Sequence, residues 1–242
     1  MIRKFSTVFI FFGGLAACSH SGNNGRLPDE NTVSDMTESK QQTPLKFLAL
    51  GDSYTIGEKV PEEDRWPEVL TDKLVNAGIS MEKPQIVATT GWTTDELKNG
   101  IEEATLKGKY DLVSLLIGVN NQYRGYEIEV YREEFRELLD MAIEFAGDDP
   151  SKVFVVSIPD YGVTPFGMKK DPKKISAEID QYNEINRDIS GQALVQYFDI
   201  TGISRQAETD PELVAEDNLH PSGKMYRQWV DHIFPGVKKM LE

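Results

Sequence analysis

Cysteine occurs once in the 242 residues, at Cys18. That rules out an internal disulfide framework and any cysteine-based metal site. Histidine is nearly as scarce, with three residues, His20, His220 and His232. An imidazole base therefore has few possible sources. Lysine and arginine number 26 against 40 acidic residues, a formal net charge of −14, and no basic cluster offsets the excess. Such a surface repels phosphate backbones and anionic lipid, which excludes nucleic acid as a natural partner. The apolar run from Phe5 to Ala17 is too short to span a bilayer comfortably. A phosphate-cradling glycine loop after the first apolar run, as a nucleotide or flavin binder would need, is missing. The nucleophile elbow G-x-S-x-G is missing too, because Thr55 stands two residues after Ser53.

What the chain does have begins with Arg3 and Lys4 followed by that apolar run, the layout of an export signal over residues 1–17. The run ends Leu15-Ala16-Ala17-Cys18, which resembles the lipobox of bacterial lipoproteins, where the cysteine is lipidated and becomes the mature N-terminus. A secreted protein with an incidental thiol at Cys18 is the alternative. Residues 18–44 hold few large aliphatics and cannot bury enough apolar surface to fold, so they read as a disordered tether. The expectation is a folded domain over 45–242, held at the bacterial cell envelope, periplasmic or surface-exposed, and touching the membrane only through its anchor.

Within that domain five mostly apolar strings, 46–50, 85–89, 111–118, 152–158 and 195–200, read as strands covered on both faces. Segments of helical period alternate with them. Tyr131, Phe135, Leu138, Leu139, Ala142 and Phe145 share one face, as do Ile175, Ile179, Tyr182, Ile185 and Ile189. Helices also fit 67–77, 93–106 and 223–241, the last broken or kinked near Pro235. The alternation predicts an α/β three-layer sandwich on a five-stranded parallel sheet, with ligands at the carboxyl ends of the strands. Gly51-Asp52-Ser53 falls at that edge, where Gly51 permits a sharp exit from the first strand.

Four short blocks then occur in order: Gly51-Asp52-Ser53 in FLALGDSYTIGE, Gly91 in ATTGWTTDEL, Gly118-Val119-Asn120 in LLIGVNNQYRG, and Asp217 with His220 in AEDNLHPSG. Singly, each also suits a turn, a cap or a loop closure. Together they resemble the SGNH hydrolases, also called the GDSL esterase/lipase family. The resemblance spans about residues 45 to 240 and implies a flavodoxin-like sandwich.

By that resemblance Ser53 is a nucleophile, His220 its general base and Asp217 the carboxylate that orients the imidazole, a set whose chemistry is that of acyl transfer. The backbone N–H groups of Ser53 and Gly91 and the side chain of Asn120 would form the oxyanion hole. Asn121 stands where the family often has aspartate. Asp52 and Asp199 compete with Asp217 for the acidic role, although neither shares a short loop with His220. Residues 157–167, SIPDYGVTPFG, resemble a family segment that would shape the pocket wall through Tyr161 and Phe166.

The resemblance further implies a carboxylic ester hydrolase that needs no metal or organic cofactor. The absence of a long apolar lid segment favours a short acyl group such as acetyl on a carbohydrate. Trp66, Trp92 and Tyr123 are candidates for stacking on sugar rings. Lysophospholipase or thioesterase activity on the same fold is one alternative. A non-catalytic surface lipoprotein that binds glycan or protein is another.

Overall fold

The computed structural model describes residues 43–242. The expected signal, tether and lipidation at Cys18 lie outside the described residues, apart from the last two tether positions.

In chain order the principal elements are β1 (Phe47–Gly51), α1 (Ser53–Ile56), α2 (Trp66–Asn76), β2 (Gln85–Ala88), α3 (Thr94–Glu103), β3 (Leu112–Leu116), α4 (Val119–Arg124), α5 (Ile128–Phe145), β4 (Val153–Val156), α6 (Pro172–Gln192), β5 (Gln196–Phe198), α7 (Thr201–Ser204) and α8 (Gly223–Met240). Short 3-10 turns fill several of the connections. The strands form one parallel sheet in the order β2-β1-β3-β4-β5. Helices α2 and α8 pack together, and α3, α5 and α6 pack in succession, which gives the three-layer sandwich its two helical layers. Every residue of β1, β3 and β4 is buried, as the continuous apolar runs require for strands with helices on both faces.

The chain leaves β1 to build β2 on one side and then returns to build β3 on the other. Strand order reverses there, and the loops after β1 and β3 flank the crevice that opens at such a reversal. The pairing of Gly51 with Leu116 puts the ends of these two strands in register.

Three details differ from the sequence-based expectations. Trp66 is almost wholly buried, tilted against Phe47 and edge-on to Phe154, so it is a core residue and not a ligand-stacking one. Helix α8 runs unbroken through Pro235, which lies on the exposed side of the helix. Gly51 does not use a left-handed backbone angle. It is glycine for want of space, since an added Cβ would lie 2.2 Å from Thr55 Oγ1 and 2.5 Å from the Leu116 carbonyl.

Candidate active site

The turn after β1 carries Ser53 as the first residue of α1. Asp52 caps that helix, its Oδ1 accepting the Tyr54 N–H at 3.0 Å. The N–H of Ser53 itself occupies a first-turn position, where no intrahelical acceptor exists. Asp52 is fully buried, and its Oδ2 has no hydrogen-bond partner among the described residues. Burial pushes its carboxyl up to about 7, against the opposing pull of the backbone N–H groups of Tyr54 and Asp52. A group so enclosed braces the turn and does not reach the imidazole.

Asp217 and His220 lie in the loop before α8. The loop is pinched shut by an antiparallel bridge between Val214 and Pro221 and by the Ala215 N–H donating to the His220 carbonyl at 2.7 Å. Inside it, Asp217 Oδ1 accepts the backbone N–H groups of Leu219 and His220, each at 3.0 Å, while Oδ2 meets His220 Nδ1 at 2.6 Å. Partial burial pushes the Asp217 carboxyl up. The His220 ring contact, the two backbone donors and the ring's charge outweigh it, so the group sits below the usual aspartate value. With Nδ1 engaged, Nε2 is the ring nitrogen left for other partners. The edge of Tyr54 packs against the ring, with centroids 5.7 Å apart. Asp199, the other competitor, instead pairs with Arg187 at 2.8 Å.

The loop after β3 turns at Gly118, whose φ of 125° is open only to glycine and where a Cβ would strike the Tyr131 ring. Asn120 follows, half-buried, donating one Nδ2 hydrogen to the Trp92 carbonyl at 2.9 Å. Arg124 donates to the Gly91 carbonyl at 2.6 Å. Gly91, with φ of 88°, and Trp92 are thus tied through their carbonyls to α4. Trp92 lies across Gly100 of α3, too close for any side chain there.

Asn121 is buried and couples α4 to the start of α3. Its Oδ1 accepts the Thr94 N–H at 3.1 Å and its Nδ2 donates to Thr94 Oγ1 at 2.6 Å. The Thr94 hydroxyl in turn donates to Glu134.

These segments enclose a cavity of about 220 Å³ lined by Ser53, Tyr54, Val119, Asn120, Tyr123, Tyr161, Phe166, Leu219 and His220. Ser53 and His220 thus share one cavity although 167 positions separate them in the chain. Ser53 is 4 % exposed and His220 9 %, so both sit at its floor. No hydrogen bond joins the Ser53 hydroxyl to the ring in this structure; unliganded sites are commonly looser than reacting ones. Gly91 is not among the residues that line this cavity; its neighbour Trp92 is tied to Asn120, which is, and its own carbonyl accepts from Arg124.

Tyr161 and Phe166 stand on the wall, as the 157–167 segment suggested. That segment is anchored by the buried Asp160, which accepts from Gly162 N at 2.8 Å and pairs with Arg205 at 2.9 Å. Of the three aromatics considered for stacking, Tyr123 alone lines the cavity. His232 is exposed on α8. Among the described residues no group of three His, Cys, Asp or Glu side chains is arranged to hold a metal ion.

Comparison with known proteins decides the family. The model of the GDSL-like lipase/acylhydrolase family matches residues 49–228. The chain belongs to that family. Its chemistry is carboxylic ester hydrolysis, and its fold is shared with other members. An arylesterase of Vibrio mimicus is 26 % identical over 183 residues, 74 % of this chain and 82 % of that protein. An acetylxylan esterase of Geobacillus stearothermophilus is 26 % identical over 204 residues, 79 % of this chain and 84 % of that protein. The crystal structure of a lipase/acylhydrolase from Enterococcus faecalis superposes with a TM-score of 0.63 at 21 % identity, covering 82 % of this chain and 97 % of that one.

Proposed function

We propose that this GDSL-family hydrolase is a serine esterase acting through an acyl-enzyme on short acyl groups, with acetyl on carbohydrate as the favoured substrate. Ser53 Oγ attacks the ester carbonyl while His220 Nε2 takes its proton. The carbonyl π bond opens, and the resulting oxyanion is met by the N–H of Ser53 and the second amide hydrogen of Asn120, with the Gly91 N–H as the third donor that the family resemblance implies. Collapse expels the alcohol, which receives the proton from His220. Water then attacks the acyl-serine with the same imidazole as base, releasing the carboxylic acid and restoring Ser53. Asp217 holds the ring with Nδ1 protonated and stabilises the imidazolium.

The observation that carries this reading is the common cavity of Ser53 and His220, with the Asp217 carboxylate 2.6 Å behind the ring. The small cavity suits a short acyl group, and relatives named arylesterase and acetylxylan esterase point the same way. Lipidation of Cys18, with residence at the cell envelope, is the companion proposal from the sequence.

The test is release of p-nitrophenol from p-nitrophenyl acetate by wild type and Ser53→Ala, with labelling by a fluorophosphonate probe. Wild-type activity in the variant, or an unlabelled wild type, removes Ser53 as nucleophile. Acetate freed from acetylated xylan, set against fatty acid freed from lysophospholipid, separates the favoured substrate from the lipid alternative.

A further inference from the structure

The rim of the cavity carries a cation that the proposed chemistry does not use. Lys170 is exposed, and its Nζ lies 4.5 Å from the centre of the Tyr123 ring and 5.0 Å from that of Phe166, both cavity residues. The Tyr123 hydroxyl, at 3.3 Å, is its one hydrogen-bond partner among the described residues. Among the described residues no carboxylate lies within ion-pair distance of Lys170, although Lys174 has Glu178 at 3.7 Å. Other lysines also lack a carboxylate partner, but Lys170 is the one that stands over two rings of the cavity. The two ring faces hold it in place and leave its charge unneutralised.

The depth of the cavity says which part of a substrate meets this cation. An ester carbonyl must reach Ser53 at the floor, whereas Tyr123, 51 % exposed, stands at the mouth. A short acyl group fills the floor, and the alcohol portion projects past Tyr123 and Phe166 towards Lys170. The wall is also joined to the loop of the base, because Phe166 N–H donates to the Asn218 carbonyl at 3.0 Å. An alcohol seated against the rings is therefore seated relative to His220.

We propose that Lys170 is a specificity-determining residue that selects esters whose alcohol portion carries a carboxylate beside a ring that packs on Tyr123 and Phe166. This rests on the esterase reading above. An acid-rich surface repels such a substrate everywhere else, so the local ammonium both admits and orients it.

The experiment compares phenyl acetate with 4-acetoxybenzoate, which share a ring and an acyl group and differ in one carboxylate. Wild type, Lys170→Gln and Lys170→Glu of the full chain are assayed at low salt and at added sodium chloride. The quantity read is the ratio of kcat/KM for the anionic ester to that for the neutral one. It is expected to fall about three- to fivefold in Lys170→Gln, mainly through KM, and further in Lys170→Glu. Added salt should erode the wild-type preference and barely move that of Lys170→Gln. Lys170→Arg should retain the ratio.

If both esters lose equally in Lys170→Gln, the lysine only packs the rings and the proposal is overturned. An unchanged ratio in Lys170→Glu overturns it too. Failure of wild type to hydrolyse either ester sinks the esterase reading itself, and the inference with it.

Discussion

Asp217 meets His220 three times, once at the ring through Oδ2 at 2.6 Å, once at the backbone N–H through Oδ1 at 3.0 Å, and once by sharing a loop closed at Val214 and Pro221. The carboxylate thus fixes both the position of the ring and the hydrogen on Nδ1. Asp217→Asn keeps the backbone acceptor but presents an amide to Nδ1, which favours the wrong tautomer. The expected result is a kcat for p-nitrophenyl acetate about 10³- to 10⁴-fold lower with little change in melting temperature. A loss under tenfold would mean that another group serves the imidazole.

Asp52 makes stability depend on pH in the direction opposite to a salt-bridged acid. Burial raises its carboxyl to about 7 from an ordinary 3.8, so between those values the folded chain holds a proton that the unfolded chain releases. Its contribution is therefore lost as pH rises from about 4 to about 7 and is level beyond, a total on the order of 4 kcal/mol. Asp52→Asn keeps the acceptor for Tyr54 and has no proton to lose. Urea unfolding at pH 4.5 and pH 8 should show the variant gaining on wild type at the higher pH. A constant difference between the two proteins would contradict this account of the buried acid.

Asn121 is an amide because Thr94 has already committed its proton. With that hydroxyl donating to Glu134, the Thr94 oxygen needs a donor, and Asn121 Nδ2 supplies it. Asn121→Asp would set two carboxylates against one hydroxyl in a buried place. The expected cost is roughly 1–3 kcal/mol at pH 8, shrinking as acid protonates the new side chain. Calorimetric melting at pH 8 and pH 5 checks it, and equal melting temperatures for variant and wild type at pH 8 would refute it.

Gly118 and Gly91 both have positive φ, but only Gly118 is also short of space. A Cβ at Gly118 would come within 2.5 Å of the Tyr131 hydroxyl, whereas at Gly91 the nearest atom is Arg124 Nη2 at 3.7 Å. Gly91→Ala should cost about 1 kcal/mol in strain alone. Gly118→Ala should cost at least about 2 kcal/mol and displace Asn120. Denaturation midpoints and esterase rates of the two variants rank them, and the reverse order would be the failure.

The elements that position the site were legible because they rest on periodicity. Buried parallel strands give unbroken apolar runs, and the five expected segments contain the five observed strands, apart from Gly51, which extends β1 by one residue. That Ser53, Asn120 and His220 would meet at one edge of the sheet was legible because each follows a strand or precedes the last helix. What escaped the sequence depends on contacts between distant segments. Nothing local says that Trp66 is enclosed by Phe47 and Phe154, or that Asn121 reaches Thr94. Nothing in the sequence singles out Lys170; only the fold shows it standing over two rings of the cavity.

The register of Gly51 with Leu116 has a consequence for how the enzyme fails. The hydroxyl and the amide donor of Asn120 leave neighbouring strands of the central sheet, and the backbone ladder holds them at a fixed spacing. The imidazole arrives from the far end of the chain, on a loop kept in place by the seating of α8 against α2. Loosening of that last helix would separate base from nucleophile while the sheet stayed whole. Hydrolysis would then fade before any spectroscopic sign of unfolding, which makes turnover a sensitive gauge of whether the carboxy-terminal helix is docked.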